Sequence, residues 1–419
     1  MQLHTFGSGP THRPNPVLCA QSIRVLWASW CDVLIAHRHP DDATESWDLR
    51  YIGTGLSQSQ QNFLCEASTF SRLGKAIGGE EEGHRVVFFG SAMHHGLRGY
   101  VHTLGTEQEI VLFAADDEME DGHGNGVQEV QVYRMGDYTE ESLTVIDIKI
   151  LNDETLLLSL NQGCAGKEYL ACVRDIPQLR VWLCSPIPNS SFGRVKAAAS
   201  AAALPDVKRA PYDSHDPPQW VSNATTTTLL DTHGRVWTSS ADTRYQSCLG
   251  RPYDGRSDLG AIPYLSETHI TRVVSGGYMS AALSADGELF IWGQACPGSA
   301  EGIDIFNGNT RGVISTTGIN AEDDQDEFVK CLNVRIDGHE AQVHHVAIGH
   351  GHVLVAAESG YGSAKKRAVF AAGDNSMGQL GLEGRPFYSA FHEVEGLRGK
   401  QVAQLFAAGW SSFVVTLEE

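Results

Sequence analysis

The stretch that decides the fold is VVSGGYMSAALSADGELFIWG, residues 273–293. Two apolar runs flank Asp286-Gly287. Asp-Gly between such runs marks a tight hairpin, because a two-residue primed turn needs positive φ at both central positions. The stretch predicts a strand opening on small residues, a turn, and a return strand closing on Trp292-Gly293.

Copies of this pattern recur along the chain. The first runs from Ile23 (IRVLWASWCDVLIA) to Gly55, and the second from Val86 (VVFFGSAMHHGL) to a return strand near Glu109 (EIVLFA). The third starts at Ile146 (IDIKILNDETLLLSL) and is expected to return as QLRVWLCS, ending at Ser185. The fourth starts at Trp220, with His233-Gly234 at the turn and Trp237 in the place of Trp292. The sixth spans Val343 to Gly381, and the seventh begins at Val402 with no return strand after it. The missing strand is at the other end: Leu3 to Gly9, LHTFGSG, has the return pattern of ELFIWGQ and AVFAAGD with no first strand before it. These repeats predict an all-β chain, a seven-bladed β-propeller closed by pairing of the N-terminal strand with the C-terminal blade. Radial repetition with a shared last blade limits exposed sheet edges. The expected organisation is one propeller over 1–419, with blades at about 23–55, 86–113, 146–185, 220–250, 273–293, 343–381, and 402–419 plus 1–9. Insertions fall at about 57–82, 186–218 and 296–340. Long loops in a compact fold are usually functional or disordered, so specific function is expected in these departures.

Composition narrows the partners. The chain has 419 residues, 42% of them hydrophobic, and 51 acidic against 31 Lys plus Arg residues, for a net charge of −20. A chain so acidic is repelled by phosphate backbones and anionic membrane surfaces, so no direct nucleic acid and no membrane partner are expected. The longest basic run, Lys365-Lys366-Arg367, is read as a solvated hairpin turn. There is no secretory leader pattern at the N-terminus and no apolar run of the roughly 18 residues a membrane span needs. Nine cysteines without a CxxC pair fit reduced thiols. The expected location is cytoplasmic and also nuclear.

The repeats resemble the regulator-of-chromosome-condensation repeat. The resemblance rests on SGGYMSAALSADGELFIWG, on AIGHGHVLVAA with AGDNSMGQLGLEG, and on AAGWSSFVVTL. Gly349 and His352 match the front of that repeat; Gly373, Asn375, Gly378, Gln379, Leu380 and Gly381 match its tail. The match covers Trp220 to Glu419 and the first nine residues, and fades between about Ser57 and Gln219. The terminal strand and the irregular middle look most like the fungal alpha-tubulin suppressor type. That resemblance implies a monomeric propeller in a heteromeric complex with a small metal-binding protein, and roles in tRNA wobble-uridine modification, diphthamide synthesis or microtubule-linked regulation. The founder of the family implies an alternative, guanine-nucleotide exchange on a Ran-like small GTPase. The founder type carries a basic N-terminal tail, whereas this chain starts directly with a strand. A third alternative is a chromatin-linked adaptor binding a basic partner.

Chemistry-bearing motifs do not survive a structural reading. Gly276, Gly277, Gly349 and Gly409 are expected where first strands begin and blades crowd the centre. GDNSMGQLG, residues 373–381, lacks the GK[ST] ending of a phosphate loop. His350 and His352 share a strand face, but His352 sits at the recurrent family position, where it is expected to cap backbone groups. The pairs His94-His95 and His344-His345 should point to opposite strand faces and not chelate. Cys65, Cys248 and Cys296 lack a nucleophile motif, and Trp237, Trp292 and Trp410 are read as blade packing. No catalytic residue, cofactor or metal is therefore expected, and the chain is read as a scaffold rather than an enzyme. The candidate partner contacts are two acidic clusters: Asp116, Asp117 and Glu118; and Glu322, Asp323, Asp324, Asp326 and Glu327.

Overall fold

The computed structural model describes residues 1–7, 16–38, 47–66, 73–74, 76–77, 84–105, 107–115, 129–135, 143–151, 153–162, 167–184, 207–209, 218–240, 242–255, 259–297, 299, 301–306, 313–315 and 327–418. Two compact units divide the chain: Met1–Ile23 with Pro218–Glu419, and Arg24–Pro217.

The unit Arg24–Pro217 holds three antiparallel sheets. Blade 1 is Ser22–Ala28, Asp32–Arg38 and Asp48–Gly53. Blade 2 is His84–Ser91, Gly96–Leu104, Glu107–Phe113 and Val130–Met135. Blade 3 is Leu143–Ile150, Leu156–Gln162, Lys167–Val173 and Val207–Arg209. The other unit holds four more. Blade 4 is Gln219–Ser222, Thr226–Leu230, Val236–Ser240 and Gly260–Ala261. Blade 5 is Ile270–Gly276, Met279–Ser284, Leu289–Gly293 and Val329–Ile336, with Val313–Ser315 and His339–Glu340 added at its edge. Blade 6 is Gln342–Ile348, His352–Ser359, Lys366–Asp374 and Phe387–Glu393. Blade 7 is Val402–Ala408, Ser411–Thr416, Gln2–Phe6 and Pro16–Cys19. The seven sheets are the blades of a seven-bladed β-propeller.

The N-terminal strand completes the last blade. Gln2–Phe6 pairs antiparallel with Ser412–Thr416, and Leu3 and Phe6 are almost fully buried. Pro16–Cys19 then adds the outer strand. The register explains the Trp-Gly ending that the repeats share. Gly7, Gly293 and Gly373 stand at the end of the third strand, with φ of +99°, +118° and +105°. A Cβ at these positions would lie 2.0–2.2 Å from the carbonyl oxygen of Trp410, Tyr278 or Gly351 in the preceding turn. Only glycine combines that conformation with that approach.

Apolar cores lie between consecutive sheets. Ala281 and Ile291 of blade 5 pack with Val346, Val353 and Val355 of blade 6. Leu354, Ala356 and Val369 of blade 6 pack with Leu405, Val414 and Phe6 of blade 7. Strands covered on both faces read as near-continuous apolar runs such as VLVAA, because neither side faces water.

The structure corrects three expectations. Residues 273–293 form three strands rather than a hairpin, since the chain turns first at Gly277-Tyr278 and again before Leu289. Gly276, Gly277, Gly349 and Gly409 therefore lie where the first strand of a blade ends and turns into the second. QLRVWLC, residues 178–184, is not a strand but part of the helix Ile176–Cys184, and the return strand of blade 3 is Lys167–Val173. Asp175 Oδ1 accepts from Gln178 N at 2.8 Å, while the Gln178 side chain accepts from Arg174 N, so reciprocal side-chain bonds start the helix. Ile176, Leu179, Trp182 and Leu183 then fall on one buried face. Finally, Val329–Ile336 is the fourth strand of blade 5, pairing with Leu289–Trp292, so part of the expected insertion 296–340 belongs to the blade.

In the stretch 57–82, Gln58–Cys65 is a helix opened by a capping box between Ser57 and Gln60. Among the described residues no helix is long and apolar enough to cross a membrane.

Candidate interaction site

The turn between the first two strands repeats from blade to blade with the same backbone link. Trp30 N donates to Ala92 O at 3.0 Å, Ala224 N to Gly277 O at 2.8 Å, and His350 N to Gly409 O at 2.7 Å. In each case the turn of one blade is tied to the turn of the next. The donor position is held by Trp30, Ala224, Gly277, His350 and Gly409 in blades 1, 4, 5, 6 and 7, and Tyr278 and Trp410 come one residue later in blades 5 and 7. Trp30 and Trp410 remain 45% and 38% exposed. An exposed tryptophan at a rigid, hydrogen-bonded turn is a preformed contact for a partner.

The best-built example lies in blades 5 to 7. The His350 ring meets the Trp410 ring edge-on, with centroids 5.2 Å apart. On its other side His350 Nε2 lies 3.7 Å from Cys296 Sγ. Asp374 N donates to Gly351 O at 2.8 Å, which brings the Asp374 side chain beside the same turn. Burial pushes the Cys296 thiol up to about 11, and Asp374 adds to the shift. Burial also holds the His350 imidazole below its ordinary range, with Asp374 opposing. A high-pKa thiol beside a desolvated imidazole is not an activated nucleophile, because activation requires the thiolate.

His352 has a different task. It is fully buried, and its Nε2 is 2.9 Å from Ser412 Oγ in blade 7. A Cβ at Gly349 would fall 2.1 Å from the His352 ring, so the glycine makes room for it. His352 thus bonds a side chain of the next blade and also meets backbone groups of His350 and Ser411, as expected of a residue that caps the turn. The repeat tail is equally structural. Asn375 Nδ2 donates to Leu382 O and Arg385 O, both at 2.9 Å, and its Oδ1 accepts from Leu380 N at 3.1 Å.

The other sequence candidates fall as follows. His344 and His345 do not diverge: a β-bulge in their strand brings their Nδ1 atoms within 2.7 Å. His95 Nε2 is 3.3 Å from Glu154 Oε1. Among the described residues no group of three or more His, Cys, Asp or Glu side chains is placed to hold a metal. Trp292 is fully buried, whereas Trp237 donates to Asp231 Oδ2 at 3.0 Å and Trp410 is a surface residue. Lys365 and Lys366 are not free solvated charges, since they meet Glu358 Oε1 at 2.5 Å and Asp337 Oδ2 at 2.6 Å. Asp116, Asp117, Glu118, Glu322, Asp323, Asp324 and Asp326 lie outside the described residues. Glu327 is exposed, and its carbonyl accepts from Lys330 Nζ at 3.3 Å. The sequence did hold a signal for Trp410: it aligns with Tyr278 in GGY and AGW, one residue past the turn glycine.

No protein-family model and no curated protein matches the chain. Solved structures do. Prp20p from Saccharomyces cerevisiae, described with its binding to Gsp1p and histones, matches with a TM-score of 0.54 and 12% identity, over 100% of this chain and 92% of that one. Human WBSCR16 matches with 0.54 and 12%, over 99% and 98%. Yeast RCC1 (Prp20), in complex with Kap60, matches with 0.51 and 12%, over 100% and 89%. At such identity the similarity is one of fold, and it agrees with the blade count seen here. The chain is therefore, by fold, a seven-bladed β-propeller similar to these structures.

Proposed function

We propose that this propeller is a non-enzymatic interaction protein, a scaffold or regulatory subunit, that receives a protein partner on the turn face around Trp410. The observation that carries this reading is the exposed Trp410 indole, held edge-on by His350 at a turn tied by hydrogen bonds to its neighbour. Rigid, partly exposed aromatic anchors contribute strongly to protein–protein affinity. The acidic balance of the chain favours a basic partner surface, which speeds association through electrostatic steering. Capture from native cells with the wild-type chain and with Trp410→Ala tests this reading. Partners lost by the variant support it, and an unchanged partner set contradicts it.

A second reading is guanine-nucleotide exchange on a Ran-like small GTPase, favoured by the fold likeness to Prp20p and its binding of Gsp1p. Exchange requires the propeller to prefer the nucleotide-free GTPase over the loaded form. Release of labelled GDP from a captured GTPase, faster with this protein than without it, separates the two readings. A part in tRNA wobble-uridine modification, diphthamide synthesis or microtubule-linked regulation, in cytoplasm or nucleus, rests on the resemblance to the alpha-tubulin suppressor type. Recovery of a small metal-binding protein in the same capture would support that branch. The chromatin-linked adaptor predicts histones there instead.

A further inference from the structure

A cavity of about 390 Å³ opens to solvent beside the His350 turn. Its walls are chemically divided. Met279, Ile303, Phe387 and Trp410 supply apolar and aromatic surface, while Asp374 and Glu301 supply carboxylates. Among the described residues that line it there is no Lys or Arg. Ile303 comes from the start of the blade 5 insertion, so one of the departures from the repeat builds this wall.

Asp374 is positioned rather than neutralised. Its Oδ1 accepts from Ser376 N at 2.9 Å, the one hydrogen bond to its carboxylate among the described residues, and no ion pair there reaches it. A Cβ at Gly351 would lie 3.5 Å from both Asp374 Cβ and Cys296 Sγ, so thiol and carboxylate flank the same turn. The field in the cavity is negative. Asp374 raises the pKa of Cys296 and also acts to raise that of His350, as a nearby negative charge must.

We propose that this cavity is a receptor for an arginine side chain of a bound protein, with the guanidinium at Asp374 and the methylene stem against Phe387 and Ile303. Arginine fits better than lysine. Its planar guanidinium stacks on aromatic faces, is more weakly hydrated than an ammonium, and forks onto a carboxylate through two parallel N–H donors. Trp410 and His350 offer rings on one side, and the carboxylate oxygen not used by Ser376 offers an acceptor. An uncharged or anionic group would leave Asp374 without a counter-charge in a half-covered site, which is unfavourable. The inference rests on the reading that this face receives a protein partner, and it specifies which side chain that partner inserts.

The test uses the full chain with methyl-labelled Met and Ile, and two probes: Nα-acetyl-arginine methylamide and its citrulline analogue, which has nearly the same shape but no charge. The arginine probe should shift the Met279 and Ile303 methyl signals saturably, and citrulline should bind at least about tenfold more weakly. Asp374→Asn should weaken the arginine probe by a similar factor while leaving citrulline unchanged. Equal binding of both probes, or no perturbation at Met279 and Ile303, overturns the proposal. The citrulline comparison needs no variant, so a poorly folding Asp374→Asn chain does not blunt it. Failure here is separable from failure of the docking reading. If the arginine probe does not bind yet partner capture still needs Trp410, the receptor falls and docking stands. If the probe binds but no partner depends on Trp410, the reverse holds.

Discussion

Gly381, at the end of the blade 6 repeat tail, lies directly against Phe6 of the N-terminal strand: a Cβ on Gly381 would be 2.7 Å from the phenyl ring. Gly250 stands in the same relation to Trp292, at 2.9 Å, two blade junctions earlier in the pattern. In both, the Leu-Gly of one blade packs on the third-strand aromatic of the next. Both glycines also have left-handed φ, +67° and +65°. Replacing Gly381 by Ala should therefore cost both backbone strain and overpacking, about 2–3 kcal/mol in urea unfolding. Gly399→Ala, with φ +79° and open space around it, isolates the backbone part and should cost about 1–2 kcal/mol, less than Gly381→Ala. Equal losses for the two variants would show that contact with Phe6 is unimportant.

Removal of residues 1–7 should destabilise blade 7, because it strips the partner of Ser412–Thr416 and empties the site of Leu3 and Phe6. A fall in melting temperature of at least about 5 °C is expected, from lost burial of two large apolar side chains. A truncated chain melting with the wild type would contradict the closure of this blade by its N-terminal strand.

Much of this architecture is legible in the sequence. Phe6-Gly7 could be matched to Trp292-Gly293 because both obey one rule: an aromatic for the blade junction, then a glycine beneath the preceding turn. The rule is local, so the sequence carries it. The helix Ile176–Cys184 was not legible as a helix, since Leu179, Val181 and Leu183 alternate as a strand would. Val181 is 68% exposed, so the alternation is accidental, and the better signal was Asp175-x-x-Gln178 at the helix start. The candidate site was less legible still. Cys296, His350, Asp374 and Trp410 come from three blades, and nothing in their spacing announces a shared cavity.

Stability should fall with acid through His352. Burial holds its pKa down to about 4, against about 6.5 for a solvated imidazole. The unfolded chain therefore binds a proton that the native chain refuses, and stability is lost as pH falls below about 6.5 toward 4. His345, also held at about 4 by burial and by His344, acts in the same direction. Between pH 7.5 and 5.0 the unfolding free energy should drop by about 2 kcal/mol or more. His352→Gln should flatten this dependence, and an unaltered slope would remove His352 as a cause.

Cys296 should be a sluggish thiol. With its pKa pushed up to about 11, little thiolate exists at pH 7.5, so iodoacetamide should label it far more slowly than the exposed Cys19. Asp374→Asn removes one of the causes and should speed labelling several-fold. Labelling of Cys296 as fast as Cys19 would contradict the burial that, together with Asp374, keeps this thiol protonated.

The most direct measurement is paired capture with the wild-type chain and Trp410→Ala, both checked for equal melting temperature, with bound proteins quantified by mass spectrometry. A partner that binds the wild type and is depleted at least about tenfold by the variant, as removal of an aromatic anchor predicts, places docking on the Trp410 turn. Equal recovery of every partner by the two chains would contradict it.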